Sequence, residues 1–314
     1  MLNKDTNSTL CTLCPRRCRA DRSAGKKGFC GETGTMRVGR AALHFWEEPC
    51  ISGETGSGTV FFAGCALRCV YCQNHDLIRS GAGIPVTEQQ LARIFLDLEA
   101  QHAANINLVT PDHFIPEILP AIQTARENGL SLPVVWNLSG YETVEQIRMT
   151  APYADIYLAD LKYLDPEPAA AYSSAPDYPE TAKAALAEMV RLKPLLKYDD
   201  NGMLKEGVIV RHLLLPSHVN VSKKVLTYLK ETYGEQILIS IMNQYTPRPG
   251  IGSQFPELAR RVTKREYERL LDHALSIGIE NAFIQEGQTA LESFIPAFDG
   301  EGVTSLPLPA PEQS

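Results

Sequence analysis

A chain of 314 residues, 44% hydrophobic and 21% charged, can bury one large core and carry a small appendage. A formal net charge of -7 and the lack of a long Lys/Arg run argue against nucleic acid as the main partner. MLNKDTNSTL has no apolar stretch behind a basic start, and the longest apolar runs, such as ILISIM at 237–242, are too short for a bilayer, so a cytoplasmic location with no membrane partner is expected.

In chain order, residues 1–50 are rich in Cys, Arg and Gly and lack sustained periodicity. They predict a small loop-rich unit that needs a metal to hold its shape. Residues 51–300 predict the main domain. GETGSGT at 53–59 looks like a phosphate-binding loop, but it has no Lys before its Ser/Thr and its strand follows the glycines, so nucleotide hydrolysis is rejected. Six strands are predicted at 59–65, 106–110, 133–139, 155–163, 207–216 and 236–245, mostly as continuous apolar runs suited to parallel pairing. Amphipathic helices are predicted at 87–101, with a Thr N-cap, and at 114–129, 179–192, 222–234 and 263–278. An open doubly wound sheet and a full or partial β/α barrel both satisfy this alternation. The tail, 301–314, has the composition of a disordered end.

Eight cysteines without a secretory signal point to reduced thiols, and none lies beyond residue 72. Cys65, Cys69 and Cys72 sit where the first predicted strand gives way to its loop, at the edge where α/β sites are built. Three thiolates fit a [4Fe–4S] cluster with one iron left open. The competing reading is a structural zinc completed by His75. Cys11, Cys14, Cys18 and Cys30 form a second soft-ligand set, suited either to an auxiliary [4Fe–4S] cluster or to zinc. Cys50 stands alone as a small buried hydrophobe. Asp160 and Lys162, two apart on a strand, share one face, and their burial needs compensation. The Arg211 guanidinium fork matches a carboxylate.

The chain resembles the radical S-adenosylmethionine enzymes through CxxxCxxC with Tyr71 before the last Cys. CVYCQN, NLSGY and DLK resemble the pyruvate formate-lyase-activating-enzyme branch. CTLCPRRC, LHFWEEP, GSGTVFFAGC, NINLVTPDHF, DIYLADLKY, RHLLLP and IMNQYTP resemble its PflX-type iron–sulfur relatives, over roughly residues 10–290. The resemblance implies a partial (β/α)6 TIM-like barrel. In it Cys65, Cys69 and Cys72 hold a [4Fe–4S] cluster and act as the catalytic ligands, with S-adenosylmethionine on the fourth iron. One electron from a donor such as flavodoxin or ferredoxin then cleaves the C5′–S bond, and the 5′-deoxyadenosyl radical abstracts hydrogen from a substrate. An oxygen-labile oxidoreductase suited to anaerobic handling follows.

The same resemblance places Tyr71 by the cluster and Gln73 and Asn74 at the adenine. Relatives carry Gly-Gly-Glu after the second strand. Here LVTPDHF stands instead, with Thr110 expected to replace part of that contact. Asn137, Ser139, Asp160, Lys162, Arg211 and Gln244 are expected around S-adenosylmethionine, with Asp160 and Asn137 also near a monovalent cation. The substrate stays open between a protein glycine, as for an activase, and a small molecule or peptide. A zinc-stabilised, non-catalytic binding scaffold is the reading from a different class.

Overall fold

The chain enters its sheet through β1 (Arg37–His44), which runs antiparallel to β2 (Ser57–Phe62). The short α1 (Pro49–Ser52) joins them, and the two-residue β3 (Ile84–Pro85) pairs with the outer side of β1. These relations come from a computed structural model that describes residues 10–78, 81–280, 282–285 and 296–304. The end of the tail, 305–314, lies outside the described residues, as do residues 1–9 of the N-terminal unit.

Beyond β2 every further strand of the main series is parallel to its neighbour. After β2 come β4 (Ile106–Val109), β5 (Val134–Leu138) and β6 (Ile156–Asp160). The two-residue β7 (Lys197–Tyr198) is an antiparallel spur on β8 (Leu204–Leu213). The series continues through β8 to β9 (Leu238–Met242) and β10 (Ala282–Ile284). Their order across the sheet follows their order in the chain, without reversal. A doubly wound sheet reverses at a switch point, so this mostly parallel sheet is singly wound. The sheet path is open, with β3 and β10 at its two ends.

The crossovers are helices: α2 (Glu88–Ala100), α3 (Ile115–Glu127), α4 (Val144–Thr150), α5 (Pro166–Ser173), α6 (Tyr178–Leu192), α7 (Val219–Tyr233) and α8 (Lys264–Ser276). The N-cap expected at Thr87 is present as a full capping box with Gln90. Leu91, Ile94, Phe95 and Leu98 of α2 are buried as their spacing predicts, each worth about 1.5–3 kcal/mol. All six positions of β2 and all four of β4 are buried, as strands covered on both faces require.

Two elements depart from the sequence reading. Residues 37–44, expected within a loop-rich segment, form a full strand of the main sheet. A seventh parallel strand, β10, follows the six that were expected.

Candidate functional site

The loop after β2 carries three cysteines in a fixed shape. Gly64 (φ +82°) turns the chain, and a Cβ there would meet Glu32 Cγ at 2.5 Å and the Cys30 carbonyl at 2.9 Å, so no side chain fits. Arg68 also adopts a left-handed conformation, at φ +57°. The loop is strapped from several directions. Cys65 N–H donates to Cys30 O (3.1 Å) and Val70 N–H to Tyr172 O (2.8 Å). Arg16 donates to Ala66 O (2.9 Å), and Arg248 to Val70 O (2.9 Å).

Cys65, Cys69 and Cys72 open onto one cavity of about 770 Å³. Gln73, Asn74, Thr110, Asn137, Ser139, Asp160, Lys162, Arg211 and Gln244 line it too, so the structure brings together all but one of the residues that sequence placed there. Burial pushes all three thiols upward, Cys72 to about 12, and their mutual proximity adds to this at Cys65 and Cys72. The Ser173 hydroxyl, 3.0 Å away, donates to Cys69 Sγ.

Gln73 Nε2 donates to Gln244 O (2.7 Å), tying the cysteine loop to the end of β9. Thr110 sits at φ +56°, where a β-branched residue is strained, and its N–H donates to Asn137 O (3.0 Å). Asp160 and Lys162 form the expected ion pair, both partly buried. Burial alone would lower Lys162, but the charges of Asp160 and Cys69 lift it above its usual value. Sequence reasoning missed the group that joins these strand ends. The Tyr178 hydroxyl lies 3.0 Å from the carbonyl oxygens of both Ser139 and Asp160 and accepts from Lys162 N–H at 3.0 Å.

Tyr71 is the exception. It packs behind the cysteine loop, its ring edge-on to Tyr172 and Tyr245 and its hydroxyl 2.6 Å from that of Tyr163. Tyr163 reaches Ser173 (3.1 Å), so this hydroxyl chain ends at Cys69. Tyr71 therefore supports the loop from below rather than lining the cavity.

Arg211 lines the cavity, but its fork is already filled. Nε donates to Glu48 Oε1 (2.8 Å) and Nη2 to Glu48 Oε2 (2.7 Å), with Glu47 on the same nitrogen. Glu47 also accepts from Asn107 (3.0 Å) and Asn137 (3.5 Å). This correction has a direct cause: two acids of the HFWEEP segment form a polar floor and occupy the bidentate site. Their doublet next to an aromatic pair was the available sequence signal.

Behind Ser139 lies a fully buried acid pair, Asp112 and Glu142. Glu142 accepts from Ser139 N–H and Oγ–H, both at 3.1 Å. Burial raises both carboxyls, Glu142 to about 7, and the charge and contact of Glu142 raise Asp112 further. A raised folded value means that the Glu142 contribution to stability is full in acid and fades as pH climbs from the ordinary carboxylate range to about 7. Glu142→Gln keeps the acceptor for Ser139. It is expected to flatten that alkaline decline by a few kcal/mol, read as thermal midpoints of both proteins between pH 5 and pH 8.5. Parallel pH profiles would refute the assignment.

The N-terminal cysteines gather around Gly28, whose Cβ would lie 3.3 Å from both Cys18 Sγ and Cys30 Sγ. Cys14 and Cys30 are buried, Cys11 is half-buried and Cys18 exposed. Burial pushes Cys14 up to about 11, with Cys11 and Cys30 adding to it. Among the described residues, no three His, Cys, Asp or Glu side chains converge as tightly as a single metal ion requires.

Residues 51–163 match the family described as a 4Fe-4S single cluster domain. A second match is the pyruvate formate-lyase-activating enzyme of Clostridium pasteurianum, 28% identical over 114 residues, or 34% of this chain and 45% of that enzyme. Each of these two matches covers about a third of this chain. An uncharacterized protein of Methanocaldococcus jannaschii is 28% identical over 272 residues, 84% of this chain and 74% of that protein. Streptococcus suis SuiB bound to S-adenosylmethionine aligns with a TM-score of 0.45 and 11% identity, over 71% of this chain and about half of SuiB (48%). No helix among the described residues is long and apolar enough to cross a membrane.

Proposed function

We propose that the cavity beneath the cysteine loop binds a [4Fe–4S] cluster and S-adenosylmethionine in a partial (β/α)6 barrel, and that the enzyme abstracts hydrogen from a substrate admitted there. The observation that carries this reading is the opening of Cys65, Cys69 and Cys72 onto the same cavity as the polar ends of β4, β5, β6 and β9. The donor set fits such a centre. Cys69 is buried and Cys65 and Cys72 half-buried, burial disfavours their thiolates without a cationic partner, and the loop itself holds no fourth cysteine.

A [4Fe–4S] cluster held by Cys65, Cys69 and Cys72 would supply one-electron reduction to S-adenosylmethionine bound in the same cavity. The chain's own residues bind and orient. Lys162 holds a proton and a positive charge beside Asp160, a pair suited to the amino and carboxylate groups of a methionyl moiety. Ser139, fixed by Glu142, and Asn137 present hydrogen-bonding groups at the end of β5. Arg211, Glu47 and Glu48 form a buried ionic cluster in the cavity wall and hold one another in place.

A protein glycine as the hydrogen donor, the activase role, is supported by the 114-residue similarity to the clostridial activating enzyme. Cys11, Cys14, Cys18 and Cys30 are proposed as the ligands of a second soft-metal centre in a metal-dependent N-terminal unit, supported by the approach of Cys18 and Cys30 across Gly28. Iron, sulfide and zinc analysis of anaerobically purified protein tests both centres. Two clusters' worth of iron, or one cluster's worth with one zinc, is expected. A colourless protein holding only zinc would overturn the catalytic reading in favour of a binding scaffold.

A further inference from the structure

Behind the cysteine loop, outside the lining of the large cavity, three hydroxyls form an unbroken line of hydrogen bonds that ends on a sulfur. The Ser173 hydroxyl donates to Cys69 Sγ (3.0 Å), the Tyr163 hydroxyl lies 3.1 Å from that of Ser173, and the Tyr71 hydroxyl 2.6 Å from that of Tyr163. None of these four residues is more than 9% exposed, so water does not compete for the bonds. Among the described residues, Cys69 is the one thiol of the three that takes a hydrogen bond from a side chain. Cys65 Sγ takes a backbone N–H instead, from Leu67 at 3.3 Å.

Each link is fixed by its own packing. Ser173 is the last residue of α5, and Arg16 ties that helix end to the loop. Its guanidinium donates to the carbonyls of Ser173 (3.1 Å), Ser174 (2.6 Å) and Ala66 (2.9 Å). The Tyr172 ring stands edge-on to Tyr71 and tilted against Tyr163, which holds both phenols in place.

The direction of the line follows from proton count. A hydroxyl has one proton to donate, and a thiolate has none. With Cys69 on iron, Ser173 donates to the sulfur and so accepts from Tyr163, which in turn accepts from Tyr71. Every bond then points at Cys69, and buried bonds in series polarise one another.

We propose that Tyr71, Tyr163 and Ser173 are positioning residues that act through Cys69 to raise the reduction potential of a [4Fe–4S] cluster held by the loop. The inference rests on the functional reading above. Reduction by a one-electron reductant adds one electron and moves no atom. The added charge is shared by the ligating sulfurs, and an O–H aimed at one of them favours the reduced state.

The test is a dithionite redox titration of the cluster-loaded proteins, followed by electron paramagnetic resonance. The signal titrated is the one that changes on adding S-adenosylmethionine, which separates it from any signal of the N-terminal cysteines. Ser173→Ala removes the bond to sulfur, while Tyr163→Phe and Tyr71→Phe each remove one hydroxyl further back and keep the ring. Tyr172→Phe is the control. It deletes a phenol oxygen from the same aromatic group, but that hydroxyl faces His218 (3.1 Å) and Glu257 (2.5 Å), outside the line.

At the wild-type midpoint potential, Ser173→Ala is expected to hold about ten oxidised clusters for each reduced one, a fall of about 59 mV for a one-electron couple. Tyr163→Phe should fall less and Tyr71→Phe least, with Tyr172→Phe matching the wild type. If Ser173→Ala retains no cluster, the order among the three phenylalanine variants decides. Unshifted potentials in cluster-bearing Ser173→Ala and Tyr163→Phe, or a shift in Tyr172→Phe as large as in Tyr163→Phe, would overturn the inference and leave the functional reading standing. A wild type without a reducible [4Fe–4S] cluster would overturn the functional reading itself.

Discussion

Cys69→Ala is expected to reduce 5′-deoxyadenosine formation to the enzyme-free background and to remove one cluster's worth of iron and its iron–sulfur absorbance. Of the three thiols, Cys69 is the most elaborately held. Ser173 donates to its sulfur, and the Tyr71–Tyr163–Ser173 hydroxyl chain lies behind it. A methyl group cannot bind iron, and two remaining thiolates do not retain a cluster in the geometry the cavity requires. Cys50→Ala is the matched control. Cys50 is buried in a separate apolar cluster with Ile51, Val135 and Ile156, and burial pushes its thiol up to about 12, so it should tolerate the change without loss of nucleoside. Anaerobic chromatography of the reaction products checks both. Wild-type levels of 5′-deoxyadenosine from Cys69→Ala would exclude the cysteine triplet as the cluster site.

The second large effect concerns stability. Burial would raise Glu48, but the Arg211 charge and its N–H bonds outweigh this and hold Glu48 down. Burial would lower Arg211, yet Glu47 and Glu48 lift it. Arg211→Leu leaves two carboxylates in the cavity floor without their cation. Losing one partner of a buried ionic group costs about 3–5 kcal/mol, so the thermal midpoint should fall by roughly 5 to 8 °C. Adding Glu47→Gln and Glu48→Gln should recover part of that loss, since the unpaired charge is then removed as well. A variant with an unchanged midpoint and a raised KM for S-adenosylmethionine would restore Arg211 to the cofactor-binding role that its sequence position suggested.

The parallel series was legible because its strands are continuous apolar runs, such as IYLAD, and their helices carry periodic apolar faces. β1 escaped notice because RVGRAALH places arginines at its half-buried positions, which breaks the apolar signal of a sheet strand. β10 is three residues long, too short for any pattern to stand out. Within the site, the cysteines and strand-end polar residues could be placed because each lies within a few residues of a recognisable strand end. The partners of Arg211 were harder to place, since Glu48 lies 163 residues away and the acidic doublet beside an aromatic pair does not say which cation it meets. The Asp112–Glu142 pair is hidden for the same reason: each acid alone reads as an ordinary loop carboxylate. Tyr71 shows a different limit, because spacing places it beside the cysteines without saying which side of the loop its ring takes.

The straps on the cysteine loop also impose an order on biosynthesis. Arg16 reaches the Ser174 carbonyl across 158 positions, and Arg248 reaches Val70 across 178. While the ribosome is still adding α5, the three thiols have left the exit tunnel but lack most of the groups that fix their positions. Iron loading therefore belongs after release of the nearly complete polypeptide, and a nascent chain stalled before residue 248 would present its cysteines as loose, oxidisable thiols.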